Sequence, residues 1–196
     1  MPDKPTSTSK AKTETKLSPT GRWVLAAAIL GSSMAFIDGS AISVALPVLQ
    51  TDLGATVADT QWVVEGYTLF LGALILVGGW LGDRFGRRRI FGLGIIVFAV
   101  ASVLCGLAPN PGLLILARSF QGVGGALLVP GSLAIINAVI EPDLRGRAIG
   151  TWSGATSITT ALGPVLGGWL VENISWRWVF FINVPLAALV IFILFT

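Results

Sequence analysis

A chain of 196 residues that is 54% hydrophobic, only 12% charged and has a mean hydropathy of +0.81 is too apolar for an ordinary water-soluble domain. Its pI near 9.5 would elsewhere point to nucleic acid, but the net charge of +3 is explained by where the basic residues stand, so no nucleic-acid partner is expected. With no His and one Cys, Cys105, the chain offers no disulfide framework and no Cys-based metal site, and it lacks the commonest general base; no metal or cofactor is expected.

Residues 1–21 are rich in Thr, Ser, Lys and Pro and read as a disordered cytoplasmic tail. The apolar run that follows is too long for the core of a signal peptide, contains Asp38, and is succeeded by five more. Residues 22–196 therefore read as a bundle of six transmembrane helices in an all-α membrane protein. Helix 1 is expected at about Trp23–Leu49, helix 2 at Trp62–Leu81, helix 3 at Ile90–Ala108, helix 4 at Leu113–Val139, helix 5 at Ala148–Val171 and helix 6 from Trp178 onward, each about the 20 residues a bilayer requires. Pro47 tolerates a helix end, Asp83 to Arg89 form a charged hairpin, Pro109-Asn110-Pro111-Gly112 is a turn, and Glu141-Pro142-Asp143 closes helix 4. Trp23, Trp62, Trp176 and Trp178 fall near the expected interfaces with the lipid headgroups. Helix 6 reaches Thr196 without a polar flank, which reads as truncation within that helix and as the first part of a longer protein.

The basic residues sort by connection. Eleven of the thirteen lie before helix 1 (Lys4, Lys10, Lys12, Lys16, Arg22), between helices 2 and 3 (Arg84, Arg87, Arg88, Arg89) or between helices 4 and 5 (Arg145, Arg147). The alternate connections hold only Arg177, and Arg118 lies inside helix 4. Positive loops are retained on the cytoplasmic side, so the expectation is a multi-pass protein of the plasma membrane with its N-terminus inside and the lipid bilayer as its first partner.

The loop after helix 2 reads Gly79-Trp80-Leu81-Gly82-Asp83-Arg84-Phe85-Gly86-Arg87-Arg88-Arg89, with Gly78, Gly82 and Gly86 four residues apart. Taken alone it is a topogenic loop in which small residues allow close helix approach and Asp83 pairs with Arg. Its order resembles the G-x-L-x-D-R-x-G-R-R signature of the major facilitator superfamily. Four further segments carry the same resemblance: Asp38 to Pro47 in helix 1, Arg118 to Ala126 (R-x-x-Q-G-x-G-x-A) in helix 4, Gly163-Pro164-Val165-Leu166-Gly167-Gly168 in helix 5, and Trp176 to Pro185 at the start of helix 6. They are similar to the fourteen-spanner drug/proton antiporter branch, with Ser40 and Ser43 in place of its usual Thr and Asn and Thr159 in place of the leading Gly of its antiporter motif.

An ionisable residue inside a spanning helix normally faces a cavity or a partner. Asp38 lies about 22 Å along helix 1 from Trp23, and Arg118 about 8 Å into helix 4 from Leu113. Those two helices run in opposite directions, so both residues sit at similar depth in the same half of the membrane, with Glu65 somewhat shallower. Two acids and one Arg are thus expected to form a charge cluster. One reading is an ion pair that only fixes helix packing. The other is functional: burial opposes charge and a guanidinium favours it, so a cationic substrate entering the cluster would expel a proton. The resemblance implies that Arg118 takes part in proton coupling and that Asp38 and Glu65 bind protons or cationic substrate. It also implies that Gly79, Asp83, Arg84, Gly86, Arg87 and Arg88 form a cytoplasmic gating loop, and that Gly163, Pro164, Gly167 and Gly168 form the antiporter motif at the interface with a second half. Packing accounts for these last residues as well, because Pro164 bends its helix and Gly163-x-x-x-Gly167 offers a flat face.

The leading expectation is the N-terminal half of a secondary transporter that exports small, often cationic or amphipathic molecules in exchange for protons. Its remaining partners are the substrate, protons and the missing C-terminal half. Alternatives are an uptake symporter of the same superfamily and a non-transporting membrane fragment or scaffold. An enzyme is not expected: Ser153-Gly154 is the closest approach to a nucleophile turn and lacks an activating base, and the Gly pairs in helices 3 and 4 lack the strand and lysine of a phosphate loop.

Overall fold

The computed structural model describes residues 17–195; most of the expected tail, residues 1–16, lies outside the described residues. The helices are α1 Pro19–Leu53, α2 Val57–Phe85, α3 Arg87–Gly106, α4 Pro111–Val139, α5 Pro142–Asn173, α6 Trp178–Phe181 and α7 Asn183–Phe195. The first five match the five expected helices, and α6 with α7 form the sixth. The protein is all-helical among its described residues, and five of its spans, the broken sixth included, are long and apolar enough to cross a membrane. α5 is long enough but less apolar, since Gly, Ser and Thr fill its middle.

The helices run further than their hydropathy predicts because their caps lie in polar sequence. α1 starts at Pro19, inside the stretch assigned to the tail, where Ser18 Oγ accepts the Gly21 N–H at 3.0 Å and Pro19 occupies a first-turn position that needs no donor. At its far end α1 passes through Pro47 and stops at Gly54, which takes the left-handed conformation at φ 61°. α2 begins only three residues later, through reciprocal bonds between Thr56 and Asp59: Asp59 N–H to Thr56 Oγ1 at 3.1 Å and Thr56 N–H to Asp59 Oδ2 at 2.9 Å. The expected connection of Gln50 to Gln61 thus shrinks to residues 54–56. The charged hairpin shrinks further, to Gly86 alone, whose φ of 100° is one that L side chains rarely adopt. α5 likewise begins at Pro142 rather than Ala148. The sixth span breaks at Ile182 because Pro185 has no N–H for the Phe181 carbonyl and its ring crowds that group.

Helix packing is set by glycine. α4 lies along α2 and α3, and α1 lies along α5. A methyl group on Gly78 would overlap the Ala126 carbonyl of α4, and one on Gly124 would meet the Phe98 backbone of α3 at 2.6 Å. Such backbone proximity replaces the hydrophobic drive that lipid cannot supply. Gly163 and Gly167 do the same for α5, seating it on Ser40 and Ala41 of α1. The outer faces carry large apolar side chains such as Leu76, 84% exposed, as a lipid-facing surface should.

Three apolar clusters fill the bundle: one around Leu25, Ala28, Ile136, Ile140 and Ala148, and two larger cores that stack along it. The core nearer the α1–α2 connection includes Ile42, Leu49, Val63, Leu114, Trp176 and Phe180, and the next includes Met34, Phe91, Ile95, Phe98, Leu128 and Val190. Trp176 is thus buried rather than exposed at an interface, in contrast to Trp23, Trp62 and Trp178. Its indole N–H donates to Asp52 Oδ2 at 2.8 Å, and Arg177 donates to the same oxygen at 2.8 Å while lying 4.4 Å over the Trp176 ring. This arrangement ties the start of α6 to the end of α1.

Replacing Gly78 by Ala is expected to cost roughly 1–3 kcal/mol, because the Ala126 carbonyl is backbone and cannot swing away. Gly72→Ala, where a methyl group meets nothing within 4 Å, is expected to leave stability unchanged or slightly raised. Thermal unfolding in detergent compares the two variants.

Candidate functional site

Between the two cores lies a polar layer. Asp38 of α1, Ser102 of α3, Arg118 and Gln121 of α4, and Asn183 of α7 are each fully buried, at 0% exposure. Each stands at the point where its helix passes from one core to the other. Arg118 Nη1 donates to Asp38 Oδ2 at 2.5 Å and to Gln121 Oε1 at 2.7 Å, and its Nε donates to the Val63 carbonyl of α2 at 3.1 Å. Gln121 Nε2 donates in turn to Asp38 Oδ1 and to Ser102 Oγ, both at 2.8 Å. Asn183 Nδ2 reaches the same two oxygens at 3.1 and 3.2 Å. The guanidinium lies 4.4 Å from the Tyr67 ring centroid, a cation–π contact in a site without water-exposed atoms.

Local sequence explains why these groups meet. Arg118 and Gln121 are three residues apart and therefore share one face of α4. α3 presents Ser102, whose hydroxyl donates back to the Phe98 carbonyl at 2.8 Å and so offers its lone pairs outward. Asn183 opens α7 just past the break that Pro185 imposes. A carboxylate with three side-chain donors, one of them a guanidinium, is electrostatically complete; the site can hold a negative charge in a medium that otherwise rejects it.

The structure brings together Asp38 and Arg118 of the expected cluster, but not Glu65. α2 turns Val63, Gly66 and Tyr67 toward α4, so Glu65, nearly half a turn away from both Val63 and Tyr67, points outward and is exposed. Ser102 and Tyr67 were not anticipated, and Gln121 and Asn183 were seen only as parts of motifs. Their signals were present: a polar residue alone in an apolar run, a Gln one turn from a buried Arg, and an Asn beside a helix-breaking Pro.

At the opposite end, Arg87 pairs with Asp83 at 2.9 Å and donates to the Ala134 carbonyl of α4 at 3.0 Å. With side chains 39% and 66% exposed, this pair contributes at most about 1 kcal/mol to the bundle itself. Arg84 stacks on Trp80 and Phe85, and Arg88 on Phe195. Gly79 has open space around it and Gly86 forms the α2–α3 junction. Of the helix 5 motif, Gly163 and Gly167 face α1, a methyl group on Gly168 would lie 3.7 Å from Val44 of α1, and Pro164 is exposed.

Long apolar helices around a buried ion pair define an integral, multi-pass helical membrane protein. Residues 28–196 match the Major Facilitator Superfamily, and the chain belongs to that family. It is 44% identical over 168 residues to the puromycin resistance protein pur8 of Streptomyces alboniger, covering 85% of this chain and 33% of that protein. It is 42% identical over 168 residues to a tetracenomycin C resistance and export protein of Streptomyces glaucescens, covering 85% and 31%. The chain thus spans about a third of the length of the curated relatives it matches. Among solved structures, a bacterial homolog of the human lysosomal transporter Spinster, inward-facing and occupied, aligns with a TM-score of 0.71 at 27% identity, over 91% of this chain and 44% of that one. The proton:xylose symporter XylE shares the fold at a TM-score of 0.74 and 17% identity, over 92% and 45%. The family and these neighbours are transporters, not enzymes.

Arg118→Leu leaves the Asp38 carboxylate buried without its cation and is expected to cost about 3–5 kcal/mol. The double variant Asp38→Leu/Arg118→Leu removes both charges and is expected to regain part of that loss, a non-additivity that a double-mutant cycle of unfolding free energies reads directly.

Proposed function

We propose that this chain forms the N-terminal six-helix bundle of a proton-coupled exporter, working by alternating access between two bundles around a site near the membrane midplane. One observation carries the proposal: a carboxylate and a guanidinium, both fully buried, bridge α1 and α4 in a bundle whose interior is otherwise largely apolar. Charge in that place is costly, and its use is to exchange one positive partner for another. A proton, or a cationic or amphipathic substrate approaching from the missing half, competes with Arg118 for Asp38. The names of the relatives as resistance and export proteins support an outward direction and a drug-like substrate.

The other site residues take roles within this scheme. Exposed Glu65 on α2 is available as a second acid for substrate. Asp83, Arg84, Gly86, Arg87 and Arg88, with Gly79 beside them, form the inner gate that meets the C-terminal half. The tight seat of Gly163 and Gly167 against α1, with Gly168 beside them and Pro164 on the exposed side, shapes the interface with that half, in the manner of the fourteen-spanner antiporters. The chain lies in the plasma membrane with its N-terminus and the α2–α3 junction inside.

A purely structural ion pair is the second reading, favoured by how fully Asp38 is hydrogen-bonded. Proteoliposomes holding the full gene product under an imposed pH gradient separate the two. Asp38→Asn is expected to stay folded and to slow pH-driven efflux of a cationic dye at least about tenfold. A normal rate with a normal pH dependence would leave the carboxylate with packing alone.

Topology has its own check. In a Cys105→Ala background, a Cys at exposed Ala58 is expected to react with an impermeant thiol reagent added outside intact cells, and a Cys at exposed Asp143 to remain unlabelled until the membrane is opened. The reverse pattern overturns the orientation.

A further inference from the structure

Two buried side-chain atoms among the described residues lack a hydrogen-bond partner, Ser33 Oγ and Asn183 Oδ1. The second belongs to the polar layer. Every side chain that reaches Asp38 is a donor in its present orientation: Arg118 on Oδ2, Gln121 Nε2 and Asn183 Nδ2 on Oδ1. That set suits a carboxylate. A protonated Asp38 carries an O–H and needs an acceptor instead.

Gln121 cannot supply one, because its Oε1 accepts from Arg118 at 2.7 Å and turning its amide over would break that bond. Asn183 Oδ1 accepts from nothing. A half-turn about its last side-chain torsion brings Oδ1 in front of Asp38 Oδ1; it breaks the Nδ2 bond to Ser102 Oγ at 3.2 Å but, unlike a turn of Gln121, no bond to the guanidinium, because Oδ1 was accepting from nothing. The other ionisable groups around the layer contact different members of it: Tyr67 lies against Arg118, and Cys105 Sγ is 3.6 Å from Gln121 Oε1.

We propose that Asn183 is a positioning residue that hydrogen-bonds Asp38 in both of its protonation states, turning its carboxamide over when the carboxylate takes up a proton. The step is balanced as a simple protonation. A hydronium ion transfers its proton to a lone pair on Asp38 Oδ1: one O–H bond of hydronium breaks, one O–H bond forms on the carboxyl, a neutral water is left, and the charge of the layer rises by one. The inference rests on reading Asp38 as the group that carries the proton. It gives the break between α6 and α7 a purpose, since that break delivers a carboxamide to the carboxylate from a third span, beside α1 and α4.

Infrared difference spectra of the full gene product in liposomes, acidic minus neutral, test this. A carboxylic C=O band that Asp38→Asn abolishes is expected, together with a downward shift of a side-chain carboxamide C=O band that both Asp38→Asn and Asn183→Leu abolish. Asn183→Gln, which keeps the carboxamide, is expected to retain the paired feature at an altered frequency and guards against a Leu variant that fails to fold. Asn183→Leu should also slow pH-driven transport roughly tenfold, the worth of about one hydrogen bond, with Gln restoring most of the rate. A carboxamide feature that survives in Asn183→Leu, or is missing from the unaltered protein, overturns the role of Asn183 while the Asp38 band upholds the proton reading. Absence of any Asp38-dependent carboxyl band overturns both.

Discussion

The ion pair between Asp38 and Arg118 is the constraint around which the bundle is organised. A carboxylate or a guanidinium alone at this depth would be expelled or neutralised, and neither can be buried until the other is in place. Satisfying both fixes the register of α1 against α4. The remaining lone pairs and N–H groups then draw in a backbone carbonyl of α2, a hydroxyl of α3 and a carboxamide of α7. Only α5, of the long helices, contributes nothing to the layer, and it is held by glycine contacts to α1 instead.

This division of labour follows from the solvent. Lipid does not drive apolar helices together, so association depends on close backbone packing and on polar contacts that have no better partner outside. Glycines supply the first along α2, α3, α4 and α5. The polar layer supplies the second, in one plane, with apolar cores on both sides that keep water from replacing it.

The same arrangement bears on mechanism. A layer in which the charged state is fully hydrogen-bonded is held until something competes for Asp38, and the competitor must be positive. Because the layer touches five spans, exchanging its central charge alters the grip of those spans on one another. In the proposed exporter, that is the physical route from a proton or a cation to a helix rearrangement.

The periodic apolar runs, the Gly/Pro punctuation and the sorted basic loops were enough to read six spans from sequence, since each depends on local composition and on bilayer thickness. Helix ends were misjudged wherever capping by Ser18, Gly54 or Thr56 with Asp59 carried a helix into polar sequence. The pairing of Asp38 with Arg118 was legible because depth along a helix of known rise is nearly one-dimensional. Which way a side chain points is not. Glu65 was placed in the cluster by depth and removed from it by the rotation of α2, and Asn183 and Ser102 entered it by rotations that hydropathy does not encode. Sequence therefore determined how many helices cross and how deep each charge lies; the tertiary structure decided which faces meet, because azimuth is set by packing between helices rather than within them.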